Sequence, residues 1–135
     1  MSPPRKVLFV GHCGPDSTYL RRAVKSVAPD AVIALAEDDQ SLLAAVSDGV
    51  DLVLLNRELY GHEPETGVEM IAALRQKFPT LRMMLVSNYP DAQAAAVAAG
   101  AMPGFGKREI SSPRAMQRLR DALFEPLPQT KAPGQ

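Results

Sequence analysis

The sequence holds a single cysteine, Cys13, and no tryptophan in 135 residues. One thiol excludes an internal disulfide and suits a reducing compartment. Neither sign of charge is in excess, since 15 Lys plus Arg stand against 15 Asp plus Glu. No basic patch or run of like charge is present to hold a nucleic-acid backbone. No apolar run approaches the ~18 residues of a membrane span. The opening MSPPRKVLFVGHC also lacks a long apolar segment before a small-residue cleavage site. These absences set aside nucleic-acid and membrane partners and lead to the expectation of a cytoplasmic protein. G-x-G-x-x-G and Walker spacings are missing, as are a Ser-His-Asp order and paired carboxylates, so an enzyme is not expected.

What is present is ordinary globular material. Hydrophobic residues make up 46% and charged residues 22%, and the length suits one domain. Five short β-rich runs alternate with five helical patterns. The strand candidates are KVLFV (6–10), AVIALA (31–36), DLVLLN (51–56), LRMMLVS (81–87) and the glycine-broken MPGFG (102–106). The first helix carries Leu20, Ala23, Val24 and Val27 on one face, with Asp16 or Ser17 as its expected cap. The second starts at Asp38 or Asp39, carries Leu42, Leu43 and Val46, and stops at Gly49. The third carries Val68, Ile71, Ala72 and Leu74 before Pro79. The fourth is the alanine-rich DAQAAAVAAG, closed by Gly100, and the fifth starts at Pro113 behind Ser112 as cap. Alternation of this kind predicts right-handed βαβ units and a parallel sheet covered on both faces. The unbroken apolar run Leu52 to Leu55 fits a strand buried on both sides. Residues 1–4 and the tail 126–135, with three prolines, are expected to be disordered around a folded unit of 5–125.

Chemistry in open parallel sheets gathers at the carboxyl ends of the strands. The residues there are Gly11 and His12, then Asn56, Ser87 and Lys107. With DLVLLN, SN, GAMPGFGK and GFGKREISSPRAMQRLRDAL in this order, residues 5–125 resemble the receiver domain of bacterial two-component response regulators. The resemblance implies the flavodoxin-like (βα)5 three-layer sandwich, with its five-stranded sheet in order 2-1-3-4-5. It also implies a set of site residues. In the family, two acidic residues after the first strand and an aspartate after the third hold magnesium. That aspartate accepts a phosphoryl group from a histidine kinase. A Ser or Thr and a Lys then sense the phosphoryl oxygens, which here correspond to Ser87 and Lys107.

The first three positions depart from the family. Gly11 and His12 replace the acidic pair, and Asn56 replaces the phosphoacceptor. Tyr60 and Arg108 stand where the family has prolines. Acyl-phosphate formation needs a carboxylate nucleophile, and an amide supplies only a neutral carbonyl acceptor. The formal charge for magnesium falls from about minus three to zero, so magnesium binding is expected to be absent or weak, with no cofactor. Gly104 takes the place of the family's switch aromatic, and Phe105, one residue on, is expected in the core.

The expectation is therefore a stand-alone, atypical receiver that signals through phosphorylation-independent protein contact. Candidate partners are a histidine kinase or an output protein. From Ala92 through Gly106, 15 residues contain no Asp, Glu, Lys or Arg. This predicts a homodimer or partner surface on the fourth helix and fifth strand, with Gln93 and Ala96 facing outward. The alternative is a metal- or redox-sensing module using His12, Cys13 and His62, although their spacing matches no established ligand motif.

Overall fold

In the computed structural model, residues 3–125 are described; the expected tail at 126–135 and residues 1–2 lie outside them. Five strands, β1 (Lys6–Val10), β2 (Val32–Ala36), β3 (Leu52–Asn56), β4 (Met83–Val86) and β5 (Met102–Phe105), form one parallel sheet. Their order is β2-β1-β3-β4-β5, as the resemblance implied. The helices are α1 (Gly14–Val27), α2 (Asp39–Asp48), α3 (Gly67–Lys77), α4 (Pro90–Ala98) and α5 (Pro113–Phe124). Among the described residues no helix is long and apolar enough to cross a membrane.

Side chains alternate across the strands and fill two separate cores. Val7, Phe9, Leu52 and Leu54 pack with Leu20 and Val24 of α1 and Leu119 and Leu123 of α5. Leu8, Val10, Val53 and Leu55 pack with Leu42 of α2, Ile71 of α3 and Ala96 of α4. Because both faces of β3 are covered, its run carries no polar alternation. Edge strand β2 is different, with Val32 and Leu35 each about half exposed (52% and 51%).

Several local expectations need correction. Helix α1 begins three residues before Ser17, with Cys13 as a cap that makes no side-chain bond and Pro15 in the first turn. Pro15 fits there because its fixed φ is helical and its missing N–H has no partner to lose. Asp16 and Ser17 therefore lie inside the first turn rather than before it. On α3, Ala72 is exposed, and Gly67, Met70, Ile71 and Leu74 make the buried stripe. A Cβ on Gly67 would strike the Asn56 carbonyl oxygen, which lets the helix lie against the end of β3. Helix α2 opens with a capping box between Asp38 and Ser41, and Gly49 closes it at φ +108°.

Strand β5 carries one extra residue. Met84 pairs with Met102, but Val86 pairs with Phe105, so the register slips between them. The bulge turns Phe105 into the core beside Met84 and Val86, where it is 2% exposed. Gly104 sits within the slip, and a Cβ there would collide with the Leu85 carbonyl. The aromatic switch position of a receiver has no room for a side chain in this backbone.

Candidate functional site

The carboxyl ends of β1, β3, β4 and β5 converge on Asn56, Ser87 and Lys107. These three, with Arg57, Glu58, Asn88 and Tyr89, line a pocket of about 250 Å³. The Asn56 amide donates from Nδ2 to the Glu58 carbonyl at 3.1 Å, and its Oδ1 is buried without a partner. Ser87 is 3% exposed, and its Oγ accepts the Tyr89 N–H at 3.2 Å.

Lys107 is not left uncompensated. Its Nζ lies 3.1 Å from Oδ2 of Asp16, reached from the first turn of α1. Asp16 is therefore no helix cap, as the sequence had suggested, but the partner of the site's lysine. Burial works against its charge. The hydrogen bonds from Lys107 and Cys13 outweigh that and hold the carboxyl below its ordinary value. The signal for this role was the Gly-Pro pair before Asp16, which starts the helix early.

Gly11 has φ +79°, a conformation that favours glycine. A Cβ there would come within 2.5 Å of Leu59 Cδ2 and 3.1 Å of the Glu58 carbonyl oxygen. An aspartate at this position would be strained for two independent reasons. His12 turns inward instead of toward the pocket. Its Nε2 donates to the Leu54 carbonyl at 2.8 Å, and its ring meets Phe9 edge-on at 5.8 Å. Nδ1 is buried with no partner. Burial, the largest influence, pushes the imidazole pKa from 6.5 down to about 4, so His12 is neutral at pH 7. Glu58 is engaged by Arg57 at 3.2 Å and by the Tyr60 hydroxyl.

His62 is held in place by the start of α2. It is 4% exposed, with Nδ1 donating to Asp39 Oδ1 at 2.8 Å, and the neighbouring Glu63 N–H donates to Asp39 Oδ2 at 3.0 Å. That carboxylate at the start of α2 pins the β3–α3 loop. One ring nitrogen of each histidine is thus already engaged, and Cys13 is exposed. Among the described residues no group of three His, Cys, Asp or Glu could hold a metal ion. The metal-sensing alternative finds no ligand set among the described residues.

The outward placement of Gln93 and Ala96 is also corrected. Ala96 is 1% exposed and packs on the sheet. Gln93 Nε2 donates inward to the carbonyls of Leu85 (2.9 Å), Ser87 (3.0 Å) and Phe105 (3.2 Å). The amide thereby ties α4 to main-chain carbonyls where β4 meets β5. Ala94, Ala95, Val97 and Ala98 form the exposed face of α4.

Comparison with solved structures identifies the fold that carries this arrangement. The non-phosphorylated receiver domain of the stress response regulator RcsB from Escherichia coli superposes with a TM-score of 0.69 at 16% identity, over 88% of this chain and 95% of that one. The signal receiver domain of an HD domain-containing protein from Pseudomonas fluorescens gives 0.68 at 21% identity, over 91% and 89%. The fold is that of a receiver domain. The chemotaxis response regulator CheY4 of Vibrio cholerae matches at 0.59 and 19% identity, over 87% and 99%. No family model and no curated protein matches this sequence.

A receiver's magnesium needs hard, charged oxygens at the end of β1 and β3. Here Gly11 offers no side chain, His12 is turned inward and Asn56 presents a neutral amide. The nearby carboxylates are already engaged, Asp16 by Lys107 and Glu58 by Arg57 and Tyr60. This donor set does not fit the ion.

Proposed function

We propose that this chain is a signalling protein of the receiver fold that works through standing protein contact and accepts no phosphoryl group. The observation that carries this reading is the Asp16–Lys107 pair at 3.1 Å beside a neutral Asn56. In a receiver, the lysine answers to charge that phosphorylation adds. Here its partner is a carboxylate built into α1, which no kinase adds or removes. The magnesium misfit supports the same reading, because the family's phosphotransfer depends on that ion. Incubation with acetyl phosphate and magnesium, followed by intact-mass measurement, tests it. The expected mass is unchanged, and an acid-labile gain of one phosphoryl group in this pocket refutes the reading.

The contact surface proposed for a second copy or an output protein is the outer face of α4. Ala94, Ala95, Val97 and Ala98 are exposed there, with Tyr89 exposed just before the helix. Alanines lose no rotamer freedom on binding, and the face carries no charge to desolvate. Ala94→Glu with Ala98→Glu should abolish association in sedimentation or partner capture. Glu at position 93 or 96 would instead disturb the fold and say nothing about the surface.

A further inference from the structure

Strand β2 is an open edge of the sheet without the usual protection. Its sequence, VIALA, contains no charge, proline or glycine. The amide of Val32 donates to the carbonyl of Arg5, just before β1, at 2.8 Å. Alternation along a strand then turns the N–H and C=O groups of Ile33 and Leu35 outward, away from β1. Val32, Ala34 and Leu35 are exposed around them. The ends of this edge are acidic, with exposed Asp30 before it and exposed Glu37 and Asp38 after it.

At the carboxyl end, a cleft of about 360 Å³ opens between Leu35, Glu37, Tyr60 and His12. Glu37 is its one carboxylate, and among the described residues it forms no ion pair. A second copy of this chain is a poor occupant. Antiparallel pairing about Ala34 sets Asp30 against Asp38 and brings Glu37 beside the opposing strand at both ends. Like charges placed opposite one another across a strand pair are unfavourable.

We propose that the β2 edge and this cleft form a docking site for an extended peptide segment of another protein, with aliphatic or β-branched residues flanked at both ends by Lys or Arg. The main-chain groups of Ile33 and Leu35 would extend the sheet onto the peptide. One flanking cation would enter the cleft beside Glu37, and the other would meet Asp30.

The probe is a fluorescein-labelled peptide, Arg-Val-Thr-Ile-Val-Arg, titrated into the full chain with anisotropy and amide NMR shifts as readouts. The proposal expects saturable binding with shifts confined to residues 30–37 and the cleft. The same peptide with Glu for both Arg should bind about tenfold more weakly. Ile33→Pro removes an outward N–H at an edge and should weaken binding about tenfold. Leu35→Lys, which leaves the backbone intact, serves as the second variant if Ile33→Pro disturbs the fold. Glu37→Gln should weaken binding about threefold. Equal binding of the acidic peptide, shifts on α4, or no binding at about millimolar peptide would each overturn the proposal. So would self-association of the chain that Leu35→Lys abolishes, which would give the edge to a second copy.

Discussion

Acidification should weaken this protein through His12 before the carboxylates titrate. The folded imidazole has a pKa near 4, against 6.5 for the ordinary side chain. Burial is the main cause. The Leu54 hydrogen bond and the nearby Asp16 oppose it, and the charge on Lys107 adds to it. A proton added at Nδ1 would find no acceptor, because that atom is buried and unpartnered. The unfolded chain therefore takes up the proton first. The stability contributed by neutral His12 is fully present above pH 6.5 and is lost as pH falls toward about 4. That interval corresponds to about 3 kcal/mol, a large part of the ~5–15 kcal/mol of an ordinary domain.

Urea unfolding followed by circular dichroism across this pH range measures the effect. His12→Gln is the control, since its amide keeps an N–H for the Leu54 carbonyl and does not titrate. Wild type should lose stability steadily through the window, and the variant should stay nearly flat until carboxylates protonate. Asp16 has its own window. Its carboxyl is held below 3.8, so its contribution is present above that value and is lost only at lower pH. Identical slopes in wild type and His12→Gln would refute the reasoning. So would an NMR titration placing the His12 pKa near its ordinary value.

Gln93→Ala should lower stability by about 1–3 kcal/mol, because its part-buried hydrogen bonds to the Leu85, Ser87 and Phe105 carbonyls are lost. Gln93→Glu should cost more, and thermal melts of the pair check both. Arg75 donates to the carbonyls of Phe78 (3.1 Å), Pro79 (2.7 Å), Leu81 (2.6 Å) and Gly100 (2.7 Å). Arg75→Ala should therefore cost about 3 kcal/mol in urea unfolding, with Arg75→Lys recovering only part, since an ammonium lacks the planar fork. Asn56→Asp should gain no phosphoryl mass with acetyl phosphate. Adding Gly11→Asp should lower the melting temperature, corresponding to about 1–2 kcal/mol, without restoring the reaction.

How much of this was legible depended on whether a local pattern settled the answer. Five apolar runs and five helical patterns dictate a covered parallel sheet, and β3 reads as buried on both faces because it is. AVIALA reads the same way, yet β2 lies at the edge. Its exposure follows from strand order, which the six residues do not contain. On α4 the alanines supply no phase, since every side of the helix looks alike. Gln93 is the helix interior's one polar residue, and a polar residue on a helix ordinarily faces water. At Gln93 the reverse holds, because the Leu85, Ser87 and Phe105 carbonyls lie within its reach. Those carbonyls lie on or just after the strands on either side of the helix in the chain, so the helix's own pattern does not show them. Gly11 and Asn56 were visible as substitutions, but the left-handed backbone at Gly11 was not.

The charge balance of the site makes these separate substitutions one arrangement. With Gly11, His12 and Asn56 in place of three acidic groups, a partly buried Lys107 would stand alone beneath a neutral amide. Leaving a cation unpaired in such a place is costly. Asp16 removes that cost from a different element. The early start of α1 at Gly14 places its carboxylate inside the first turn, where it faces Lys107 and not the solvent before the helix. The glycine at position 11 then follows from packing, since Leu59 occupies the space an acidic side chain would need. His12 is consistent with the same geometry, as its ring fills the space between Phe9 and the Leu54 carbonyl and carries no charge to oppose the lysine. Restoring one carboxylate at Asn56 would give Lys107 two anionic neighbours but would still leave magnesium without a second ligand at the end of β1. The neutrality of the pocket is a property of four elements together, and no single reversion undoes it.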